Sequence, residues 1–502
     1  MQSAITSKSF FGTLRRHWLI LVVGYVLALV DPFGISSTTS KAITGAFDRL
    51  FSPFYSASLA AGGDSGSANL VDVILIDDPS IRALSDENNG YLRANDWPLA
   101  YSDHGVLIDA LRRRGYGTVI LDITFYRARN LDPSFANLVT RMEHFRNNAE
   151  MAVILSSGDD PAELESSIEP LVNAASGLGM TGWVGYGEHY PLSIHMEGVE
   201  VLTLAAAAYQ AYCQVTGWQG CDDLSKADST WLVPEPGGMH MSWGMPARSM
   251  TPSLNCVGPE AGSSWSELFH ISRRSLFGAE DVSSRHSQVC PPLPTATLSD
   301  VFCSGPDCYP FIQQGQTEKR IAMVGVSLPS VRDLFDPPGP GQLPGVYLHA
   351  EALRNLLHYG SNYFQPVGLQ PSLSMFGLPN WPVPVDLLLA WPLLLWGVVA
   401  LSRKLLYWRH KNQRRAHWPE LAMEVVEVAL VLIALCLIYL LALSFQRTPG
   451  FLADLIAFTP LLLIAIRNER KEMNNESLPL DFSAFAPEQP GLGRGPVHRK
   501  VP

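Results

Sequence analysis

The sequence predicts an α/β domain with a parallel or mixed sheet, joined to about four transmembrane helices. Three observations carry this. Short runs rich in Val and Ile alternate with segments of helical period, the pattern of βαβ units. Long apolar stretches near both ends are flanked by Lys and Arg. Six of the seven cysteines fall in the long stretch between them.

The strands come first. Val71–Asp77, Thr118–Ile123, Met151–Ser156 and Ile321–Val326 are near-continuous apolar runs, as expected of strands covered on both faces. Between them, Asp103–Arg114, Ser134–Asn148, Val201–Cys213 and Leu348–Tyr359 have helical spacing. Residues 214–300 differ: they are dense in Gly, Pro, Ser, Trp and Cys. They are expected to be an elaboration stapled by disulfides, where variable loops carry specificity.

The membrane segments follow from hydropathy. Trp18–Val30 is apolar after Arg15 and Arg16; it reads as an uncleaved anchor, with a secretory signal peptide as the rival reading. Val383–Leu401, Leu421–Phe445 and Phe451–Ile466 are long enough, or nearly so, to cross the hydrocarbon core. Arg403, Lys404, Arg409, Lys411, Arg414 and Arg415 lie between the second and third spans. Their charge places that loop in the cytoplasm against anionic lipid headgroups. The resulting layout is a cytoplasmic N-terminus (1–16), a first helix (17–36), a periplasmic linker (37–68) and the α/β domain (69–365). Helices over 381–402, 420–446 and 449–467 follow, with the basic loop over 403–419 and a disordered tail over 468–502.

The cysteines agree with an outside location. Cys213, Cys221, Cys256, Cys290, Cys303 and Cys308 are even in number, which suggests disulfides in an oxidising compartment. Local pairing suggests Cys213–Cys221 and Cys303–Cys308, leaving Cys256–Cys290. Their spacings lack the CxxC pairs of a zinc site.

The net charge of -11 argues against nucleic-acid binding, which needs a basic face. P-loop, HExxH, kinase and GxSxG motifs are missing from the sequence, so neither catalysis nor a cofactor is expected. Ligands of open α/β sheets sit beyond the carboxyl ends of the strands. Here those ends carry Asp77, Asp78, Asp122 and Ser156, an acidic set suited to a cation, an amine or a polyol. The plainer reading is that Asp78, ahead of Pro79, caps a helix and Asp122 braces a turn. Met239, His240 and Met241, with Met245 and Met250, offer soft ligands for Cu(I), or fill a loop core.

One set of residues points further. Val71–Asp78, Trp97-Pro98, His104, Val119–Phe125 and Asp132 are followed by Ile321–Val326 with Gly325, and by Asp333-Leu334-Phe335. Leu343-Pro344-Gly345-Val346-Tyr347-Leu348-His349-Ala350 closes the series. In this order they resemble the CHASE2 domain, an extracytoplasmic sensory module of bacterial membrane receptors. Most of residues 69–360 is covered; 214–300 is covered worst. An aromatic-Pro-Arg run common after Trp-Pro in the family is replaced by Leu99-Ala100-Tyr101-Ser102. The resemblance implies an inner-membrane sensor whose periplasmic domain binds a small ligand or protein. Such modules are usually fused to a cyclase or kinase, and the tail after Ile466 is too short for one. Action through a separate protein partner is therefore expected, or else a scaffold role in an envelope assembly. Homo-oligomerisation is implied by the resemblance alone.

Overall fold

The structure is a computed structural model. It describes residues 51–59, 70–85, 87–148, 151–183, 189–197, 199–217, 238–245, 288–304, 320–331, 333–337 and 342–364, with single positions and pairs elsewhere. The four expected spans, the basic loop from Arg403 to Arg415 and the tail lie outside these, apart from such isolated positions. Among the described residues no helix is long and apolar enough to cross a membrane. The chain divides into two compact units. One is formed by Phe33–Asp386 and Ile438–Asp454 and holds the α/β domain. In the other, the described positions are isolated and helical.

In chain order the strands are β1 (Val71–Ile76), β2 (Tyr116–Thr124), β3 (Ala152–Ser156) and β4 (Gly177–Gly179). An antiparallel hairpin, β5 (Ser193–Met196) with β6 (Val199–Leu202), follows. A short parallel pair, β7 (Cys256–Val257) with β8 (Gln288–Val289), precedes β9 (Thr295–Thr297) and β10 (Arg320–Val326). The antiparallel pair β11 (Leu334–Phe335) and β12 (Leu343–Pro344) comes last. Six strands form one sheet in the order β4-β3-β2-β10-β1-β9. Every pairing in it is parallel, which sharpens the expected "parallel or mixed".

Alternation along the strands builds two cores. Val73, Leu75, Ile120, Ile154, Ile321 and Met323 face one side; Ile74, Ile76, Val119, Leu121, Val153 and Val324 face the other. All are buried, and each large aliphatic stabilises by about 1.5–3 kcal/mol. The second side is covered by α1 (Asp78–Leu84), α2 (Tyr101–Arg113), α3 (Phe135–Asn147), α4 (Glu169–Ala174) and α6 (Leu298–Phe302). The first is covered by α5 (Leu204–Thr216) and α7 (Val346–Tyr359). The result is a three-layer α/β/α sandwich.

Two close approaches fix the first side. A Cβ on Gly179 would lie 2.5 Å from the Leu204 Cα, so β4 runs directly against the start of α5. A Cβ on Gly325 would lie 2.4 Å from the Val346 Cβ, so β10 meets the start of α7 equally closely. The expected helix Val201–Cys213 starts too early. Val199–Leu202 pairs with Ser193–Met196 instead, and the helix begins at Leu204. It ends at Gly217, whose φ of 59° is the left-handed cap that glycine takes without strain.

The 214–300 stretch is more than an appendage. Met239, Met241 and Trp243 are buried in the first core, as loop fillers rather than exposed metal ligands. Thr295–Thr297, at its end, supplies an edge strand of the sheet. Cys213 and Cys221 form a disulfide with Cα atoms 5.8 Å apart, as expected. Cys290 and Cys303 are disulfide-bonded too. The side chains of Cys256 and Cys308, their expected partners, lie outside the described residues.

Candidate functional site

The predicted quartet does not come together. Asp77, not Asp78, caps α1, accepting the Ser80 N–H at 3.2 Å. Asp78 takes the first helical position ahead of Pro79. Burial raises Asp77, the Ser80 contacts lower it, and Asp300 of α6 pushes it up slightly. Asp78 faces a separate open cavity of about 240 Å³ lined with Ile81, Arg82, Asn95 and Asp96. β10 stands between β1 and β2, so the strands carrying Asp77 and Asp122 are about 10 Å apart.

Asp122 and Ser156 do share an edge. β2 and β3 pair evenly to Leu121↔Leu155, and the next partners are Thr124 and Ser156. Asp122 and Ile123 therefore sit in a bulge without partners on β3. Bulges beside binding sites commonly re-aim a side chain. Ser156 is buried and joined to Thr124 Oγ1 at 2.9 Å and Thr181 Oγ1 at 3.0 Å. The Gly158 N–H donates to its Oγ at 3.1 Å. Ser156 is thus a brace across three strand ends, and its hydroxyl faces its neighbours.

The third partner of the edge is Asp333. A Cβ on Gly345 would lie 2.5 Å from both Asp333 carboxylate oxygens. The carboxylate thus rests on the start of α7, where the helix dipole favours negative charge. The loop is closed by β11 and β12, through Leu334↔Pro344. Burial raises the Asp333 carboxyl, the Gly345 N–H draws it down, and Asp159 raises it again. Loss of solvation, with Asp333 adding like charge, pushes Asp122 up to about 8. Among the described residues no hydrogen bond reaches the Asp122 carboxyl.

Beneath this edge lies an aromatic floor. The Tyr190 hydroxyl meets His349 Nδ1 at 2.7 Å and accepts the Ala205 N–H at 3.0 Å. Burial lowers His349 to about 3, so its ring is neutral. Trp183 stands edge-on to Tyr190 at 5.0 Å and to His349 at 6.1 Å. The Tyr190 phenol is raised by burial foremost, and Asp122 also raises it. His349 is a packed, hydrogen-bonded histidine.

Trp97 and Pro98 belong elsewhere. Trp97 stands edge-on to buried His104 at 6.4 Å. His104 is lowered to about 4 by burial, then by Arg129. Asp103 accepts N–H groups of Arg93, Ala94 and Ala100, fixing the entry to α2. Asp132 accepts the Tyr101 N–H at 2.8 Å and holds the loop after β2. This motif frames the second face of the sheet, away from Asp122.

Among the described residues no three His, Cys, Asp or Glu side chains are grouped to hold a metal ion. Sequence reading missed Asp159, Thr181, Trp183 and Tyr190 as neighbours of the edge. They lie in turns and loops with no motif of their own. The carboxyl-end rule located Asp122, but nothing in the sequence marked the bulge.

Together these features define a three-layer α/β domain with an acidic edge at the carboxyl ends of a parallel sheet. A family model for the CHASE2 domain matches residues 20–402. The chain belongs to the CHASE2 family, whose members are sensory extracytoplasmic domains. No curated protein matches the chain, and no solved structure does.

Proposed function

We propose that this protein is an inner-membrane sensor whose CHASE2 domain faces the periplasm. It binds a small cation, amine or polyol at the Asp122–Asp333 edge and acts through a separate protein partner. It carries no catalytic role. The spans over 17–36, 381–402, 420–446 and 449–467 anchor it, with the basic loop on anionic lipids.

One observation carries the ligand reading. Asp122 is half-buried in the strand bulge, its carboxyl is raised by loss of solvation and by the like charge of Asp333, and no described residue hydrogen-bonds to it. A fold selected only for stability would not keep such a carboxyl, whereas perturbed groups of this kind cluster at functional sites. The hydroxyls of Thr124, Ser156 and Thr181 gather at the same strand ends, and Tyr190, which feels the Asp122 charge, belongs to the Trp183–Tyr190–His349 group.

The test is a thermal-shift screen of the full chain against inorganic cations, amines and polyols. A ligand at about 100 times its dissociation constant should stabilise by about 2.7 kcal/mol. The shift should vanish in Asp122→Asn. A screen that moves nothing, or a shift that survives Asp122→Asn, overturns this reading.

A further inference from the structure

The chain approaches the sheet through a helix over residues 51–59 and leaves it through α7. These two helices are joined. Tyr55 is fully buried and stacks on Tyr359 with ring centroids 6.0 Å apart. The Arg354 guanidinium lies 5.5 Å from the Tyr55 ring. Ser58 Oγ is 3.3 Å from His358 Nε2, and Phe51 stands edge-on to Phe364 at 6.0 Å.

Residues 238–245 clamp the joint. Asn355 exchanges two hydrogen bonds of 2.9 Å with the Ser242 backbone. The Gly244 N–H donates to Glu351 Oε1 at 3.2 Å, and the Met245 N–H to Ser56 Oγ at 2.7 Å. His240 Nε2 lies 2.8 Å from Asp48 Oδ1. Buried Glu351 and Arg354 pair within α7. A buried ion pair adds little net stability over apolar side chains of the same volume, so stability alone does not explain this one.

The other end of the same helix is the acidic edge. Gly345 carries the Asp333 carboxylate, Val346 rests on Gly325, and His349 holds Tyr190. The two ends of α7 are separated by about 20 Å at about 1.5 Å rise per residue. Few flexible joints interrupt the path, because α7 is buried along nearly its whole length.

We propose that α7 transmits the state of the Asp122–Asp333 edge to the 51–59 helix, changing how firmly that helix is held. The stimulus rests on the ligand reading above, but the coupling is testable without any ligand. Asp122→Asn and Asp333→Asn each relieve the like-charge contact without adding bulk. In the full chain at about pH 9, where the Asp122 carboxyl is ionised, hydrogen–deuterium exchange of the 51–59 amides should slow by about fivefold or more in either variant. Exchange in α3, on the other face, should stay unchanged.

The coupling must also be reciprocal. Replacing Glu351 and Arg354 together by Met keeps the joint filled. It should shift the pH dependence of melting that Asp122 contributes. Unchanged 51–59 exchange in both Asp variants, each folded by circular dichroism, overturns the proposal. So does slowing that is equal in α3, which would be global stabilisation. A failed ligand screen beside altered 51–59 exchange sinks the ligand and keeps the coupling; a ligand found with unaltered exchange does the reverse.

Discussion

Two aspartates of one sheet sit at its opposite ends and are treated in opposite ways. Asp72, near the amino end of β1, is fully buried and meets the Arg320 guanidinium and the Tyr116 hydroxyl. Burial lifts it to about 7, against the downward pull of Arg320 and Tyr116. Asp122, at the carboxyl end of β2, is raised by loss of solvation and by the like charge of Asp333, and accepts no hydrogen bond among the described residues. The first is part of the fold's wiring. The second opposes the fold and is retained in spite of it. A matched buried charge reports architecture, while a perturbed carboxyl at a strand end is the kind of group that clusters at functional sites.

The comparison breaks most visibly at Asp72. Asp72→Asn leaves Arg320 buried without its carboxylate and should cost about 3 kcal/mol in denaturant unfolding. Asp122→Asn should do the opposite, raising stability by about 1 kcal/mol at about pH 8. If Asp122→Asn destabilises as Asp72→Asn does, both carboxylates are structural and the contrast is lost.

The smallest effect lies in the pH profile. Asp122 titrates near 8 in the folded protein against an ordinary 3.8. Its stabilising contribution is complete at low pH and is lost as pH rises through about 8. Asp72, raised to about 7, acts in the same direction. His104 and His349 run the other way. Their contribution is present above 6.5 and is lost as pH falls toward about 4 and about 3. Melting temperature should therefore rise as pH drops from about 8.5 to about 6.5. Asp122→Asn should lessen that rise without removing it. An unaltered slope would show that Asp122 is already ionised in the folded state.

Much of the sheet was legible because its central strands are built on apolar runs. β1, β2, β3 and β10 are buried on both faces, and their Val and Ile runs announced them. β4 is Gly-Leu-Gly and β9 is Thr-Ala-Thr. Both are short, and small or polar, and only tertiary pairing makes them strands. Met239 and Met241 fill a loop core, one of the two readings the sequence offered, but their stretch has no period that would have placed them in the first core. At the site, chain order suggested Asp77 and Asp122 together, but strand order separates them by a full strand. Asp333 was visible as a family motif, yet its approach to Asp122 depends on where the β11–β12 loop folds back.

The strand order also bears on how the domain comes into being. Among the described residues β1 pairs with β9 and β10, through Val73↔Thr295 and Val71↔Ile321. Both partners are made more than two hundred residues after it. Until then a mostly apolar strand, with Asp72 its one charged residue, has neither neighbour, and contacts of such long range form slowly. A nascent chain with two bare hydrophobic edges invites mispairing. β1 therefore stays unpaired until the last third of the domain has been made. Truncations ending before residue 320 should aggregate rather than fold in part.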